Sequence, residues 1–271
     1  MKTIIAPVDF SDASTNALSF AAEMSKRASA HLHIVNVLAP GDDEAETKSK
    51  LEAVVQGLQK TFGPDLKCES SVAQGSLVTA LQERIDAQQP DLIVMGTKGA
   101  SGLKRILIGS NTVNVIAKTK LPVLVIPEVA LFKDFIRNGK NRVVLATDLD
   151  ALQDEDSLLI LKEIALLMIE PKVRVVSVRP KNTNLDYLKR MERSALLSIF
   201  NPEIESDRAT VFSRTVMGGI NFYLNEHPDT GLIAMIARDS GGIIQKHYTR
   251  EMASHTHLPL LVLHDIKIGD D

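Results

Sequence analysis

The chain has 271 residues, of which 44% are hydrophobic and 24% are charged, and its net charge is −3. At about 150 residues per domain this length favours two domains, and the slightly acidic balance favours neither nucleic acid nor an anionic membrane as a partner. The single cysteine excludes an internal disulfide and a multi-thiolate metal site. With no long apolar segment at the start and no run of about 20 apolar residues, the sequence predicts a soluble, cytoplasmic protein.

Short apolar segments that are typical of buried parallel strands alternate along the chain with segments of helical periodicity. Four strands of the first half have counterparts in the second half, in the same order and at an offset near 139 residues, which indicates an internal repeat. Each half is therefore predicted to be a parallel sheet covered by helices, the α/β class. The paired strands are 4–10 with 143–149, 33–37 with 173–178, 91–95 with 231–235, and 121–126 with 258–263.

The two halves are predicted to be domains 1–138 and 139–271, joined through a segment rich in Pro, Gly, Asn and charged residues. Pro122 and Pro259 open the last strand of each half, a position that tolerates the missing N–H of proline. A bare apolar edge strand would favour aggregation. We therefore expect the two last strands to pair and form a pseudo-dimer within the chain, while a further homodimer stays open.

A glycine-rich segment follows the fourth predicted strand of the first half. Gly96 and Gly99 are three residues apart, nine residues then lead to Gly109, and Ser110 is placed to cap the next predicted helix. Glycine allows close approach of the backbone to an anion, and N–H groups at a helix start favour one. The spacing thus indicates a phosphate site, although it equally allows a tight turn with Ser110 as a cap only.

Common nucleotide motifs are absent: no G-x-x-x-x-G-K-[ST] occurs, and no G-x-G-x-x-G follows the first strand. The spacing G-x2-G-x9-G-[ST], the opening APVDFSDAS with Asp9 ending the first strand, and the Leu-Pro-Val-Leu-Val-Ile segment at 121–126 resemble the universal stress protein family. The resemblance covers nearly the whole chain as two consecutive copies, as in tandem members of that family.

This resemblance implies two Rossmann-like, adenine nucleotide alpha hydrolase-like α/β domains, each a five-stranded parallel sheet of order 3-2-1-4-5 between helices. It also implies a site for ATP, with ADP or AMP as alternatives and Mg²⁺ as an accompanying ion left open. Ligands in such sheets bind beyond the strand ends where the order reverses, here between strands 1 and 4. The nucleotide-binding residues that the resemblance implies are Pro7, Val8, Asp9, Val37, Gly96, Gly99, Gly109 and Ser110.

Different ends of the nucleotide are assigned to different members of this set. Asp9 and Val37 are expected at the adenine and ribose end, the glycines and Ser110 around ribose and phosphates, and Pro7 and Val8 are expected to add backbone contacts. Asp9 has an alternative interpretation as a turn or cap residue ahead of the helix that begins near residues 11–12.

The second half lacks the glycine motif. Ile236 takes the place of the first glycine, and Lys246 and His247 take the places of the last glycine and the serine. Asp239 would add negative charge where phosphates should lie, and Asp148, the counterpart of the first aspartate, cannot hold a triphosphate alone. We therefore expect a structural or interaction role for this half, without ATP binding.

The sequence predicts a nucleotide-binding stress-response protein with one site per chain, whose partner is a small adenine nucleotide. No catalytic residue and no metal ligand is assigned, because the histidines of the second half do not form a ligand set. Slow ATP hydrolysis is the most that we expect. Two alternatives stay open, a nucleotide-independent scaffold or interaction module of the same fold and, with less support, an adenylyl- or phosphoryl-transfer enzyme.

Overall fold

The computed structural model describes residues 1–97, 109–137, 139–152, 155–180, 185–238 and 257–265. Its internal contacts divide the chain into two compact units, Met1–Phe132 and Lys133–Asp271. The boundary predicted from the sequence, at Asn138, lies outside the described residues.

The first unit alternates strands and helices, and its strands all pair in parallel. Strand β1 lies at the centre of its sheet, with Thr3 level with His31 on one side and Ile4 level with Leu92 on the other. The order across the sheet is β3-β2-β1-β4-β5. The elements are β1 (Thr3–Pro7), α1 (Asp12–Ala28), β2 (His31–Val37), α2 (Glu44–Phe62), β3 (Cys68–Ala73), α3 (Leu77–Gln88), β4 (Leu92–Gly96), α4 (Ser110–Lys118) and β5 (Val123–Ile126).

The second unit repeats this plan, with the order β10-β9-β6-β7-β8 and parallel pairing throughout. Counted along the chain, the described strands of both units read 3-2-1-4-5, and the predicted α/β class is confirmed. The elements after the first unit are α5 (Phe132–Arg137), β6 (Arg142–Ala146), α6 (Asp156–Ala165), β7 (Lys172–Arg179), α7 (Tyr187–Phe200), β8 (Glu205–Phe212), α8 (Val216–Glu226), β9 (Thr230–Arg238) and β10 (Leu260–Asp265).

Local sequence explains why α1 begins and packs where it does. The side chain of Ser11 accepts a hydrogen bond from the backbone N–H of Ser14, which caps the helix. Ala13, Ala17 and Ala21 recur at four-residue spacing and are buried. Small side chains on this face let the helix lie close to the sheet, and this closeness shapes the candidate site described below.

The turn after the first strand of each unit has the same unusual backbone. Phe10 and Leu149 both have φ of +61°, the left-handed region that side chains larger than glycine seldom occupy. Each follows an aspartate, Asp9 or Asp148. The two units then diverge, because α1 begins two residues after Phe10 whereas α6 begins seven residues after Leu149.

A polar cluster surrounds a buried histidine between β2 and β3. His33 is 3% exposed. Its Nδ1 lies 2.9 Å from Glu69 Oε1 and 2.8 Å from Gln88 Nε2, and its Nε2 lies 2.9 Å from Ser71 Oγ. Burial lowers the pKa of His33 below the ordinary 6.5, and the opposing influence of Glu69 is too weak to restore it.

We expect His33 to make stability fall with acidification. The unfolded chain takes up a proton on this ring near pH 6.5 while the folded chain still holds it neutral. The stabilisation is therefore complete above about pH 6.5 and is lost below it. There the free energy of unfolding falls by at most about 1.4 kcal/mol for each pH unit. Urea unfolding between about pH 5 and pH 8 measures this slope. The change His33→Gln should flatten it, and His257→Gln, at an exposed position, should not; equal slopes in both variants would contradict the assignment.

Within the described residues, the structure contains no helix that is both long enough and apolar enough to cross a membrane.

Candidate functional site

The carboxyl ends of β1 and β4 lie side by side in the first unit and form the centre of the candidate site. The register places Ile4 level with Leu92 and Ile5 level with Ile93, and continuing it along both segments would bring Val8 level with Gly96. Helix α4 is attached at the same place, since Thr112 Oγ1 donates a 3.0 Å hydrogen bond to the carbonyl oxygen of Gly96. The strand order reverses between β1 and β4, which is where open α/β sheets form a ligand crevice.

Asp9 forms the turn that leads from β1 into α1. One carboxylate oxygen, Oδ1, accepts hydrogen bonds from Ser11 N at 3.1 Å and Ser11 Oγ at 2.5 Å, and Asp9 N donates to Ser14 Oγ at 3.3 Å. Partial burial raises the pKa of Asp9, but hydrogen bonding with Ser11 and Ser14 outweighs it and holds the pKa below the ordinary 3.8. Asp9 thus stabilises the turn before α1, as its alternative interpretation predicted. A ligand role for Asp9 stays a prediction.

The start of α4 differs by one residue from its prediction. The N-cap is Gly109, with extended φ and ψ of −62° and 147°, and Ser110 is the first helical residue, so the predicted capping role of Ser110 is wrong. Ser11, Asp43 and Ser76 cap α1, α2 and α3 with their side chains, whereas Gly109 has none to offer. The first N–H groups of α4 therefore have no side-chain cap among the described residues and can bind an anion.

Gly96 is a glycine because α1 passes directly over it. A Cβ atom built there would lie 2.4 Å from the carbonyl oxygen and 2.7 Å from the carbonyl carbon of Ala13. Packing against the first turn of α1 thus accounts for this glycine without any ligand. The same contact brings the turn at Asp9 next to the end of β4.

The remaining predicted contacts of the first unit lie around β1 and β2. Pro7 ends β1 and Val37 ends β2, so both reach the crevice end of the sheet. The backbone of Val8 is already engaged, since its N–H donates to Val35 O at 2.8 Å and its carbonyl accepts from Asn36 Nδ2 at 2.9 Å. Both backbone groups of Val8 therefore already have partners within the fold.

Two polar residues near the crevice were not singled out from the sequence. Asn36 Oδ1 and Thr97 Oγ1 are buried and have no hydrogen-bond partner within the described part of the chain. Their positions could have pointed to them, because Asn36 is a polar residue within the apolar β2 and Thr97 directly follows β4. Gly99 lies outside the described residues, so its predicted role is untested.

The comparisons with known sequences match about half of the chain. The model of the universal stress protein family matches residues 1–127. Universal stress protein MJ0531 of Methanocaldococcus jannaschii is 31% identical over 140 residues, covering 46% of this chain and 81% of that relative. The chain belongs to the universal stress protein family.

Two further similarities are consistent with this membership. A universal stress protein of Thermus aquaticus, encoded in the QAH/OAS sulfhydrylase 3′ region, is 27% identical over 136 residues, covering 46% of this chain and 98% of that relative. The crystal structure of a universal stress protein from Archaeoglobus fulgidus covers 97% of this chain and 98% of its own with a TM-score of 0.75. At 19% identity, that structure shows a shared fold and no more.

In this universal stress protein the crevice of the second unit holds a buried ion cluster. Arg238 ends β9 and lies between Asp148, after β6, and Asp265, at the end of β10; their side chains are 8%, 2% and 5% exposed. Arg238 Nε donates to Asp265 Oδ2 at 2.9 Å, Nη1 donates to Asp148 Oδ1, and Nη2 donates to the carbonyl oxygen of Asp150 at 2.6 Å.

This cluster uses the aspartate that a ligand would need. Burial acts to lower the pKa of Arg238, but the charges of Asp148 and Asp265 outweigh it and raise that pKa above its usual value. Asp148 thus has an internal cation as its partner, a contact that its neighbours in sequence do not reveal. The signal was a charged residue at the end of each of three strands that lie side by side.

A second side chain, that of Ile236, also makes the crevice of the second unit different from that of the first. The register of β6 and β9 pairs Ala146 with Met235, so its continuation by one residue would put Ile236 level with Thr147, as the continued register of the first unit puts Gly96 level with Val8. Ile236 is buried. The other substitutions expected to weaken this site lie outside the described residues; they are Asp239, Lys246 and His247.

Proposed function

We propose that this universal stress protein binds an adenine nucleotide in the crevice between β1 and β4 and acts in a stress response through that binding. ATP is the first choice, with ADP and AMP as alternatives. The observation that carries the proposal is the start of α4, where Gly109 leaves the N–H groups uncapped beside Gly96. The partial positive charge of this helix end favours phosphate groups.

The residues around the crevice suit different parts of such a ligand. Ser110 can donate its hydroxyl to a phosphate oxygen, and Gly99 is proposed to bring further backbone N–H groups. The ionised carboxylate of Asp9 can accept hydrogen bonds from ribose hydroxyls, while Pro7, Val8 and Val37 supply the surface for adenine. The unpartnered atoms Asn36 Oδ1 and Thr97 Oγ1 supply an acceptor and a hydroxyl for a polar ligand. No residue is assigned to Mg²⁺.

The second unit is proposed to serve a structural or interaction role. Arg238 neutralises the aspartate that corresponds to Asp9, and Ile236 occupies the position that corresponds to Gly96. We assign no catalytic residue, and slow ATP hydrolysis is the largest activity expected.

Nucleotide binding is tested first on the purified chain. After denaturation, any released nucleotide is identified by chromatography and mass, and ATP, ADP and AMP are titrated calorimetrically. The absence of both a released nucleotide and a binding heat would contradict the proposal and favour the scaffold function. Rapid turnover with a defined acceptor would instead favour a transferase.

Two variants of Gly109 separate charge from helix capping. Gly109→Asp and Gly109→Asn both introduce a preferred N-cap residue, so each should keep or improve stability. Only the aspartate places a negative charge beside the phosphates. We expect Gly109→Asp to weaken ATP binding about tenfold or more relative to Gly109→Asn, a difference of about 1.4 kcal/mol or more. Equal affinities in the two variants would show that phosphates do not bind at this helix end.

A further inference from the structure

One face of β7 and β8 in the second unit presents arginines toward α7. Ser206 Oγ donates a 3.2 Å hydrogen bond to the carbonyl oxygen of Leu197 in α7, so Ser206 faces that helix. Side chains alternate along a strand, and Arg208, two residues later, therefore faces the same way. The register places Val175 level with Arg208. Arg179, four residues after Val175, thus lies on this face too.

Helix α7 adds two arginines to the same region. Arg193 and Arg190 precede the buried Leu196 at steps of three residues, which puts them along one flank of the helix. The Nε atom of Arg193 is buried and has no hydrogen-bond partner in the described part of the chain. Arg190 Nη1 donates to the carbonyl oxygen of Leu185 at 3.0 Å, and no carboxylate is involved in that contact.

The charges around Arg193 are of its own sign. Burial lowers the pKa of Arg193, and the positive charges of Arg208, Arg190 and Arg179 lower it further. Arg174, on the opposite face of β7, is in a different situation, because its guanidinium forms a two-pronged ion pair with Asp207. The fold thus pairs Arg174 with a carboxylate on one face and places Arg193 near three other arginines on the other.

We propose that Arg179, Arg190, Arg193 and Arg208 form a binding site for a multiply charged phosphate group, belonging either to a free phosphorylated small molecule or to a lipid headgroup. Guanidinium groups bind phosphate through two parallel hydrogen bonds. A carboxylate ligand would bring a single negative charge to this group, whereas a phosphomonoester brings about 1.5 to 2 and a diphosphate brings more. The site belongs to the second unit alone and does not depend on nucleotide binding by the first.

Inorganic pyrophosphate is the first probe, titrated calorimetrically into the chain carrying Gly109→Asp, so that the helix end of the first unit does not contribute. We expect Arg193→Gln and Arg208→Gln each to weaken pyrophosphate binding about tenfold or more. The matched control is Arg174→Gln, which removes the same charge from the opposite face of β7 and should change affinity less than about twofold. Equal weakening by Arg174→Gln and Arg208→Gln would overturn the site.

Thermal unfolding without added anion distinguishes binding from a structural role. Removing Arg208 relieves like-charge repulsion, so Arg208→Gln should keep or raise Tm, and added pyrophosphate should raise Tm of the parent chain more than that of the variant. A lower Tm in Arg208→Gln with an unchanged pyrophosphate response would assign the cluster to packing.

Vesicles distinguish the two sources of the phosphate. Phosphatidylcholine vesicles with and without phosphatidic acid are sedimented with the chain. A headgroup ligand predicts binding only to vesicles that contain phosphatidic acid, and loss of that binding in Arg208→Gln. A free ligand predicts binding of pyrophosphate without sedimentation. The absence of both responses would overturn the proposal.

Discussion

Replacement of Arg238 by methionine is expected to lower the free energy of unfolding of the second unit by about 3–5 kcal/mol. Arg238 is the cation between two buried carboxylates, Asp148 and Asp265. Without it, two negative charges stay in a region with little access to water and lose the cation that lies between them. Chemical denaturation of the full chain, followed by a probe of the second unit, measures the loss.

Two further variants show whether the loss comes from charge. Arg174→Met breaks an ion pair whose side chains are 23% and 49% exposed, and it should cost less than about 1 kcal/mol because water screens the charges. Adding Asp148→Asn and Asp265→Asn to Arg238→Met removes the uncompensated charges and should restore most of the stability. A loss that persists in this triple variant would mean that packing by the arginine stem, rather than charge, holds the crevice together.

Substitution of Gly96 by alanine is expected to destabilise the first unit by about 2–3 kcal/mol. The added methyl group would overlap the backbone of Ala13, so the first turn of α1 has to move away from β4. A backbone atom cannot rotate away as a flexible side chain would. Since Ser14 lies in that turn and accepts a hydrogen bond from Asp9 N, nucleotide affinity should fall in the same variant.

Gly57→Ala is the matched control for this change. Gly57 lies inside α2, and a Cβ atom there would meet nothing within 4 Å. Alanine is the better helix former, so this variant should gain about 0.5–1 kcal/mol. The two substitutions therefore have opposite expected signs in thermal or urea unfolding. A neutral result for Gly96→Ala would falsify the close contact between α1 and β4.

Much of the fold follows from local pattern. The central strands are almost continuously apolar and buried, as parallel strands covered on both faces must be, and the predicted segments for β1, β2, β4 and β5 overlap them. The prediction that Asp9 ends the first strand is wrong by two residues, because β1 ends at Pro7. The outer strands β3 and β8 could not be found in this way. Their sequences, CESSVA and ESDRATVF, are mostly polar and partly exposed, and their place in the sheet was implied by family resemblance.

The candidate site was predictable to the extent that it depends on neighbours in sequence. Glycine spacing located the start of α4 to within one residue, while the choice between Gly109 and Ser110 as the cap depends on backbone angles that the sequence does not display. Arg238 was not predictable from spacing, because its partners Asp148 and Asp265 are 90 and 27 residues away. Only the strand order brings the three side chains together.

The left-handed turns at Phe10 and Leu149 bear on protein design. A left-handed backbone costs about 1–2 kcal/mol for a residue other than glycine. The second unit keeps this turn at Leu149 although its own side chains fill its crevice. The backbone at the end of the first strand is therefore a property of the scaffold and is independent of any ligand. An engineer who wishes to install a second binding site starts with this turn already built, and the first side chains to redesign are Arg238 and Ile236.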